Sequence, residues 1–345
     1  MLMKAQCTTN EGMLGDFLLA ANSGRHLMMR MPERDAETDE FAESVAAGLA
    51  ARPRRFDCRF LYDSEGGRLF ESICRQPEYY LTRTESAIMA ARAEEICRYT
   101  GPATILELGS GSSGKTGQLL AAHAKLHGPT HYVPVDVCEN SLRQACRDIP
   151  ARCPAVRVTC LHGTYEDAFA LFGMTSPALT LFLGSTIGNL DEDQADSFWR
   201  SVAGGMATGD FFLLGVDLVK DEQILNAAYN DAAGVTAAFT RNLFARMNRE
   251  LDAGLELDKI EHVAGYNPRR ERIETRARFT APQSLKVGPM GQSFSIARNE
   301  EILVEISRKF RLPPLLEHLR SHGLIARKTF TDQQQWFGLL LLERI

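Results

Sequence analysis

Residues 109–116 read Gly-Ser-Gly-Ser-Ser-Gly-Lys-Thr, which matches the phosphate-cradling pattern G-x-x-x-x-G-K-[ST]. In such a turn the backbone N–H groups gather an anionic tail and the lysine adds a positive charge. Phosphate chemistry also needs magnesium, so an acidic strand must follow. "FFLLGVD", ending in Asp217, has that spelling. Three features point elsewhere. Glu107 stands two residues before Gly109, in a strand that ends "ELGSGS". Asp136 closes the next strand, about 25 residues beyond the glycines, where a carboxylate grips a ribose diol. A long helical, Tyr-rich segment precedes the first strand, placed to cover a substrate.

A nucleoside without a polyphosphate tail fits these features better. S-adenosylmethionine is such a ligand. Its cationic sulfonium tolerates acidic neighbours, and Lys115 can pair with its carboxylate. The chemistry implied is methyl transfer.

The elements that must position these residues alternate from about residue 84. "TESAIMAARAEEICRYT" reads as a helix and "ATILEL" as a strand; "SGKTGQLLAAHAKL" is a helix and "HYVPVDV" a strand. After the helix "CENSLRQACRDI" come strands "VRVTCLHG" and "ALTLFLGS", then the helix "DEDQADSFWRSVAGGM". "GDFFLLGVDLV" is a continuous apolar run, the mark of a strand buried on both faces. The pattern predicts a doubly wound α/β sheet. After Val219 it changes to a long helical run over 221–251, two strand-like stretches, "RRERIETRARF" and "SFSIARNEEILVEISRKF", and a loop or hairpin turn, "APQSLKVGPMGQ", between them. A helix, "LPPLLEHLRSHG", and strands "IARKTFT" and "QWFGLLLLER" close the chain. This describes an α/β core interrupted by an inserted lobe.

With 345 residues, 44% hydrophobic and 24% charged, the chain can bury one large core or two medium ones. A net charge of −5 argues against a nucleic-acid or anionic-membrane partner. The eight cysteines form no CxxC pair, and Cys138, Cys146, Cys153 and Cys160 lack zinc-site spacing, so buried thiols are expected and no metal. His123, His127 and His131 are separated by Pro129, which predicts a solvated connector. The first forty residues look weakly ordered, and "MLGDFLLAA", carrying Asp16, is a poor signal peptide. No run of about twenty apolar residues occurs, so a cytoplasmic protein is expected.

Longer blocks add a resemblance. "FLYDSEGGRLFESICRQPEYYLTRTE" (60–85), "ELGSGSSGKT", "YVPVDV", "FLGSTIGNL" (182–190), "AYNDAAGVTAAF" (228–239) and "VEISRKF" (304–310) resemble the histidine Nα-methyltransferases of ergothioneine biosynthesis, in the right order over nearly all of 40–345. The resemblance implies a Rossmann-like class I methyltransferase core at 83–218 plus 309–345, which would bind S-adenosylmethionine. It implies a substrate-binding lobe at 38–82 plus 219–308, after an N-terminal extension over 1–37. It implies a monomer acting on L-histidine to give Nα,Nα,Nα-trimethylhistidine (hercynine).

By the same resemblance Tyr62 lies by the substrate imidazole. Tyr79 and Tyr229 hold the substrate carboxylate, Gly184 and Asn189 orient the α-amine, and Glu305 with Ser307 reads the imidazole nitrogens. Gly109, Gly111, Lys115 and Asp136 contact the cofactor. Two positions depart from the family. Thr164 and Tyr165 stand where an Asp-Phe pair lies near the adenine amine, with Glu166 or Asp167 as substitutes for the lost charge. Thr275 replaces a Met that packs beside the substrate ring, which leaves a larger and more polar wall. On pattern alone, Tyr79 reads first as a core aromatic, Asn189 reads also as a helix cap, and an exposed strand face is the usual explanation of Glu305 and Ser307; only the joint match of the blocks turns each towards function. Three other functions stay open: methylation of another aromatic amino acid such as tryptophan, nucleotide hydrolysis, and cofactor binding without catalysis.

Overall fold

The structure, a computed structural model, describes residues 27–30, 37–111 and 113–345. Strand β1 (Leu27–Arg30) is followed by helices α1 (Glu37–Ala50), α2 (Ser64–Ile73) and α3 (Tyr80–Thr100). Then come β2 (Thr104–Leu108), α4 (Gly117–His127), β3 (Thr130–Asp136), α5 (Glu139–Arg152), β4 (Val156–His162) and the short α6 (Tyr165–Phe169). Next are β5 (Ala178–Phe182), α7 (Glu192–Gly205), β6 (Phe211–Asp217), α8 (Glu222–Ala228) and α9 (Val235–Leu251). Five strands follow, β7 (Ile260–Asn267), β8 (Arg272–Phe279), β9 (Gln283–Val287), β10 (Gln292–Ile296) and β11 (Glu301–Arg308). Helix α10 (Leu312–Ser321) and strands β12 (Leu324–Thr331) and β13 (Phe337–Arg344) complete the chain.

The described chain forms two compact units. The first comprises 27–30, Leu81–Val219 and Phe310–Ile345; the second comprises 37–80 and Lys220–Lys309. The first unit is an eight-stranded sheet of order β1-β4-β3-β2-β5-β6-β13-β12. Its strands run parallel except β13, which is antiparallel to both β6 and β12. Leu106, Val133, Phe182, Leu214 and Leu340 bury one face of this sheet against Phe198 and Trp199 of α7. This is the Rossmann-like, doubly wound α/β core that the sequence predicts, and its loops at the carboxyl ends of β2, β3 and β5 carry the residues of interest.

The second unit holds an antiparallel sheet of order β11-β8-β7 and a β9–β10 hairpin. Helix α9 lays Phe244 edge-on against Phe279 of β8, with ring centroids 5.7 Å apart. Asp63 caps α2 by accepting from the Gly66 N–H at 2.7 Å and also accepts from Asn242 Nδ2 at 2.7 Å. A Cβ at position 66 would lie 1.7 Å from the Leu61 carbonyl oxygen, so the turn after "YD" admits only glycine there.

Several expectations need correction. Residues 27–30, inside the stretch expected to lack order, pair with β4; the remainder of 1–37, residue 37 excepted, lies outside the described residues. The run 221–251 is two helices, because Tyr229 ends α8 and Gly234 enters the left-handed region before α9. β7 has no counterpart in the sequence reading, and the loop "APQSLKVGPMGQ" contains β9. Cys146 and Cys160 form a disulfide between α5 and β4, which pack on each other, in place of two thiols. The three histidines are structural. His123 is buried with Nδ1 2.7 Å from Thr130 Oγ1, His127 Nε2 lies 2.9 Å from the Cys97 carbonyl, and His131 Nε2 lies 2.9 Å from Thr159 Oγ1. Asp191 caps α7, in a reciprocal capping box with Gln194, so Asn189 has no part in that cap.

Candidate functional site

In the first unit the glycine turn leaves β2 with Gly109 at φ +66° and Gly111 at φ +51°, both in the left-handed region. A Cβ on Gly109 would stand 3.2 Å from the Tyr165 hydroxyl, while one on Gly111 would meet nothing within 4 Å. The turn is therefore closed towards Tyr165 and open at Gly111. Asp136, at the end of β3, fixes it by accepting from the Gly111 N–H at 2.7 Å and from the Cys138 N–H at 2.8 Å. Burial raises the Asp136 carboxyl, and the backbone N–H groups of Cys138 and Gly111 oppose that rise. Two bonds leave acceptor capacity on a carboxylate, which a ribose diol can use.

Glu107 does different work. Its carboxylate is buried and accepts from Thr116 Oγ1 at 2.7 and 2.8 Å and from the Tyr132 hydroxyl, which also lies 2.7 Å from Ser113 Oγ. Desolvation pushes its pKa up to about 7, with the Tyr132 and Thr116 donors pulling the other way. Thr116, the residue that would hold magnesium in a nucleotide hydrolase, is committed to this network. Lys115 Nζ donates to buried Glu85 at 2.5 Å, and Glu85 also accepts from the Gly184 N–H at 2.7 Å. Asn189 ends a 3-10 turn over Thr186–Asn189, half-buried, and among the described residues its amide has no hydrogen-bond partner. Thr164 caps α6 in a box with Asp167, which occupies its hydroxyl, and Glu166 is exposed. Tyr165 packs edge-on to Phe182 at 5.2 Å.

In the second unit a run of rings joins Tyr62 to Phe70 at 5.5 Å, Phe70 to Tyr79 at 6.3 Å and Tyr79 to Tyr229 at 6.2 Å. Burial raises the Tyr79 phenol well above its ordinary value, with the neighbouring Tyr229 next in effect. The Tyr229 hydroxyl lies 2.8 Å from Ser307 Oγ, and the buried Lys309 Nζ donates to both, at 3.0 Å and 2.8 Å. An ammonium only donates, so both hydroxyl oxygens accept from it, and the Tyr229 hydroxyl donates its own proton to Ser307 Oγ. His262 anchors the tyrosine backbone, with Nε2 2.9 Å from the Tyr229 carbonyl oxygen.

Glu305 on β11 faces Thr275 on β8 in the antiparallel register. Desolvation pushes the Glu305 carboxyl up to about 7, opposed by the charge of Lys309. Among the described residues Glu305 has no hydrogen-bond partner, and the Thr275 hydroxyl is buried with none. Tertiary structure thus sets an acceptor and a hydroxyl side by side on one sheet face, with hydrogen-bonding capacity that the protein does not use.

Three polar residues of these networks are not among those singled out in the sequence. Glu85 ends the quoted block 60–85, Lys309 is the last residue but one of "VEISRKF", and Tyr132 opens "YVPVDV". What makes them important is a partner 30, 80 and 25 positions away. Away from these residues, Asp196, His318 and His322 bring ligand atoms within 4.8 Å of one another, but the second oxygen of Asp196 is paired with Arg200 at 3.1 Å.

Comparison with known proteins bears on this geometry. The profile of the family described as histidine-specific methyltransferase, SAM-dependent, matches residues 41–344. The chain is 40% identical over 310 residues to the histidine N-alpha-methyltransferase of Mycolicibacterium smegmatis, covering 90% of this chain and 97% of that one. It is 38% identical over 297 residues to the enzyme of the same name from Mycobacterium tuberculosis, covering 86% and 92%. The "Ergothioneine biosynthesis protein 1" of Neurospora crassa is 32% identical over 265 residues, covering 75% of this chain and 30% of that one. With its class I core, its glycine turn and these matches, the chain belongs to the S-adenosylmethionine-dependent, histidine-specific methyltransferase family.

Proposed function

We propose that the chain methylates the α-amino group of L-histidine three times, giving hercynine, the first step towards ergothioneine. One observation carries the acceptor: Glu305, a desolvated carboxylate that among the described residues has no hydrogen bond, beside the Thr275 hydroxyl, which has none among them either. Such a group rewards a ligand that brings an N–H and rejects one that leaves it stranded. An imidazole supplies that N–H and a second nitrogen besides.

S-adenosylmethionine supplies a methyl on a positively charged sulfur. The residues present fit it: an open left-handed turn at Gly111, an acidic Asp136 for a diol, and Lys115 for a carboxylate. Because Thr164 is bound in its helix cap, the adenine side rests on Tyr165 and on backbone. For the acceptor, Tyr79 and Tyr229 take the carboxylate and Tyr62 lies by the ring, with Ser307 and Thr275 beside Glu305. Asn189 and the Gly184 carbonyl align the amine, which must arrive unprotonated and in line, about 3–3.5 Å from its target. The proposed set contains no histidine base, so the proton leaves to water. Aromatic walls suit the fixed positive charge of a trimethylated product. The same reading makes the protein a monomeric cytoplasmic enzyme acting on a free amino acid, with no nucleic-acid or membrane partner.

The test is incubation with labelled S-adenosylmethionine and each of the twenty amino acids, read by mass spectrometry. Histidine carrying three added methyls is the expected product. Faster methylation of tryptophan, or of any other amino acid at equal concentration, overturns the acceptor assignment.

A further inference from the structure

Glu85 is 1% exposed in its side chain and carries charge into the interior of the first unit. Isolated, such a carboxylate is costly. Here each oxygen has one partner: Oε2 takes the Lys115 ammonium at 2.5 Å and Oε1 takes the Gly184 N–H at 2.7 Å. The backbone gives way to make room, since a Cβ at Gly215 on β6 would lie 2.1 Å from Glu85 Oε1. One side chain from α3 therefore ties together the loop after β2, the loop after β5 and the middle of β6. Lys115 keeps 29% of its side chain exposed, so the ion pair joins a buried carboxylate to an ammonium that solvent or a ligand can reach.

We infer that Glu85 is a positioning residue for cofactor binding: it sets the Lys115 ammonium in place and locks the Gly184 turn to the same point. It acts through Lys115 and touches no reacting atom. The inference rests on the assignment of Lys115 to the cofactor's carboxylate, but not on the identity of the acceptor.

Three variants test it through the affinity for S-adenosylhomocysteine, measured by calorimetry. Glu85→Gln keeps the shape and the bond from Gly184 but turns an N–H towards Lys115, and it should weaken binding about tenfold. The KM for the acceptor should stay within about twofold. Glu85→Asp, which restores the charge on a shorter arm, should recover part of the loss. Gly215→Ala leaves both charges in place and displaces the carboxylate, so it should reproduce the loss and covers the case in which Glu85→Gln does not fold. On a Lys115→Met background, Glu85→Gln should add nothing to the cofactor defect and should raise the melting temperature, because it removes a stranded buried charge. Wild-type affinity in Glu85→Gln, or the same tenfold loss on the Lys115→Met background, overturns the inference. A protein that binds S-adenosylhomocysteine as described but methylates an amino acid other than histidine overturns only the acceptor assignment.

Discussion

Glu107 in the first unit and Glu305 in the second are both carboxyls pushed up to about 7 by burial, yet their surroundings are opposite. Glu107 is met by the Tyr132 and Thr116 hydroxyls, so both of its oxygens have donors from its own chain. Glu305 has only the field of Lys309 and no hydrogen bond among the described residues. A raised pKa alone does not mark a ligand site. What separates scaffold from recognition is whether the protein itself satisfies the group. The glycine turn is held rigid by satisfied charges, whereas the β8–β11 face holds polar capacity in reserve.

The largest effect is expected from Glu305→Ala. It should lower kcat/KM for histidine by about a hundred- to a thousandfold, or about 3–4 kcal/mol, and shift preference towards larger apolar rings such as tryptophan. A loss under tenfold would put Glu305 with the scaffold. Glu107→Ala should instead be felt in stability. It strands the Tyr132 and Thr116 hydroxyls, which should cost about 2–4 kcal/mol in a denaturant titration. An unchanged midpoint would mean that the network does not hold the turn.

Thr275→Val tests the same contrast, because it removes a hydroxyl that has no hydrogen-bond partner among the described residues. The variant should be more stable than the parent by about 1 kcal/mol and should bind histidine more weakly by about 0.5–1.5 kcal/mol. A variant that gains stability and keeps its KM shows that the hydroxyl does not meet the substrate.

The smallest effect is one of pH. The folded Glu305 carboxyl titrates near 7, raised from its ordinary 4.5, so the folded chain holds this proton more tightly than the unfolded chain. Its ionisation therefore disfavours folding increasingly as pH rises from 4.5 through 7, and the effect vanishes below 4.5. Glu305→Gln should accordingly be more stable than the parent at pH 8 and equal to it at pH 4, measured by thermal melts of the two proteins across that range. A gap of the same size at both pH values would show that Glu305 is not the titrating group.

Much of the first unit is written in local sequence. The glycines at 109 and 111, the acid at the end of the next strand and the apolar run "FFLLGVD" are local facts, and they specify a left-handed turn, a strand end and a buried strand without help from distant residues. The order of strands and helices over 104–217 follows from periodicity for the same reason. Beyond 219 the pattern was weaker. β7 is buried only at its first residue and carries no clean alternation, and β9 lies in a Pro- and Gly-rich stretch where turn chemistry hides a five-residue strand.

Which polar group meets which depends on long-range packing. Whether a carboxylate is satisfied depends on the register of a neighbouring strand and on what packs over it, and neither is written in the residues beside it. Thr275 and Glu305 lie 30 positions apart and share a sheet face because β8 and β11 pair in one register, with a shift between Leu303 and Glu305. Glu85 reaches Lys115 because Gly215, on another strand, leaves space for it. Lys309 finds Tyr229 because the end of β11 returns to the residue that ends α8. Local pattern fixes what each segment is, whereas long-range packing fixes which charges are used up within the protein and which remain for a ligand.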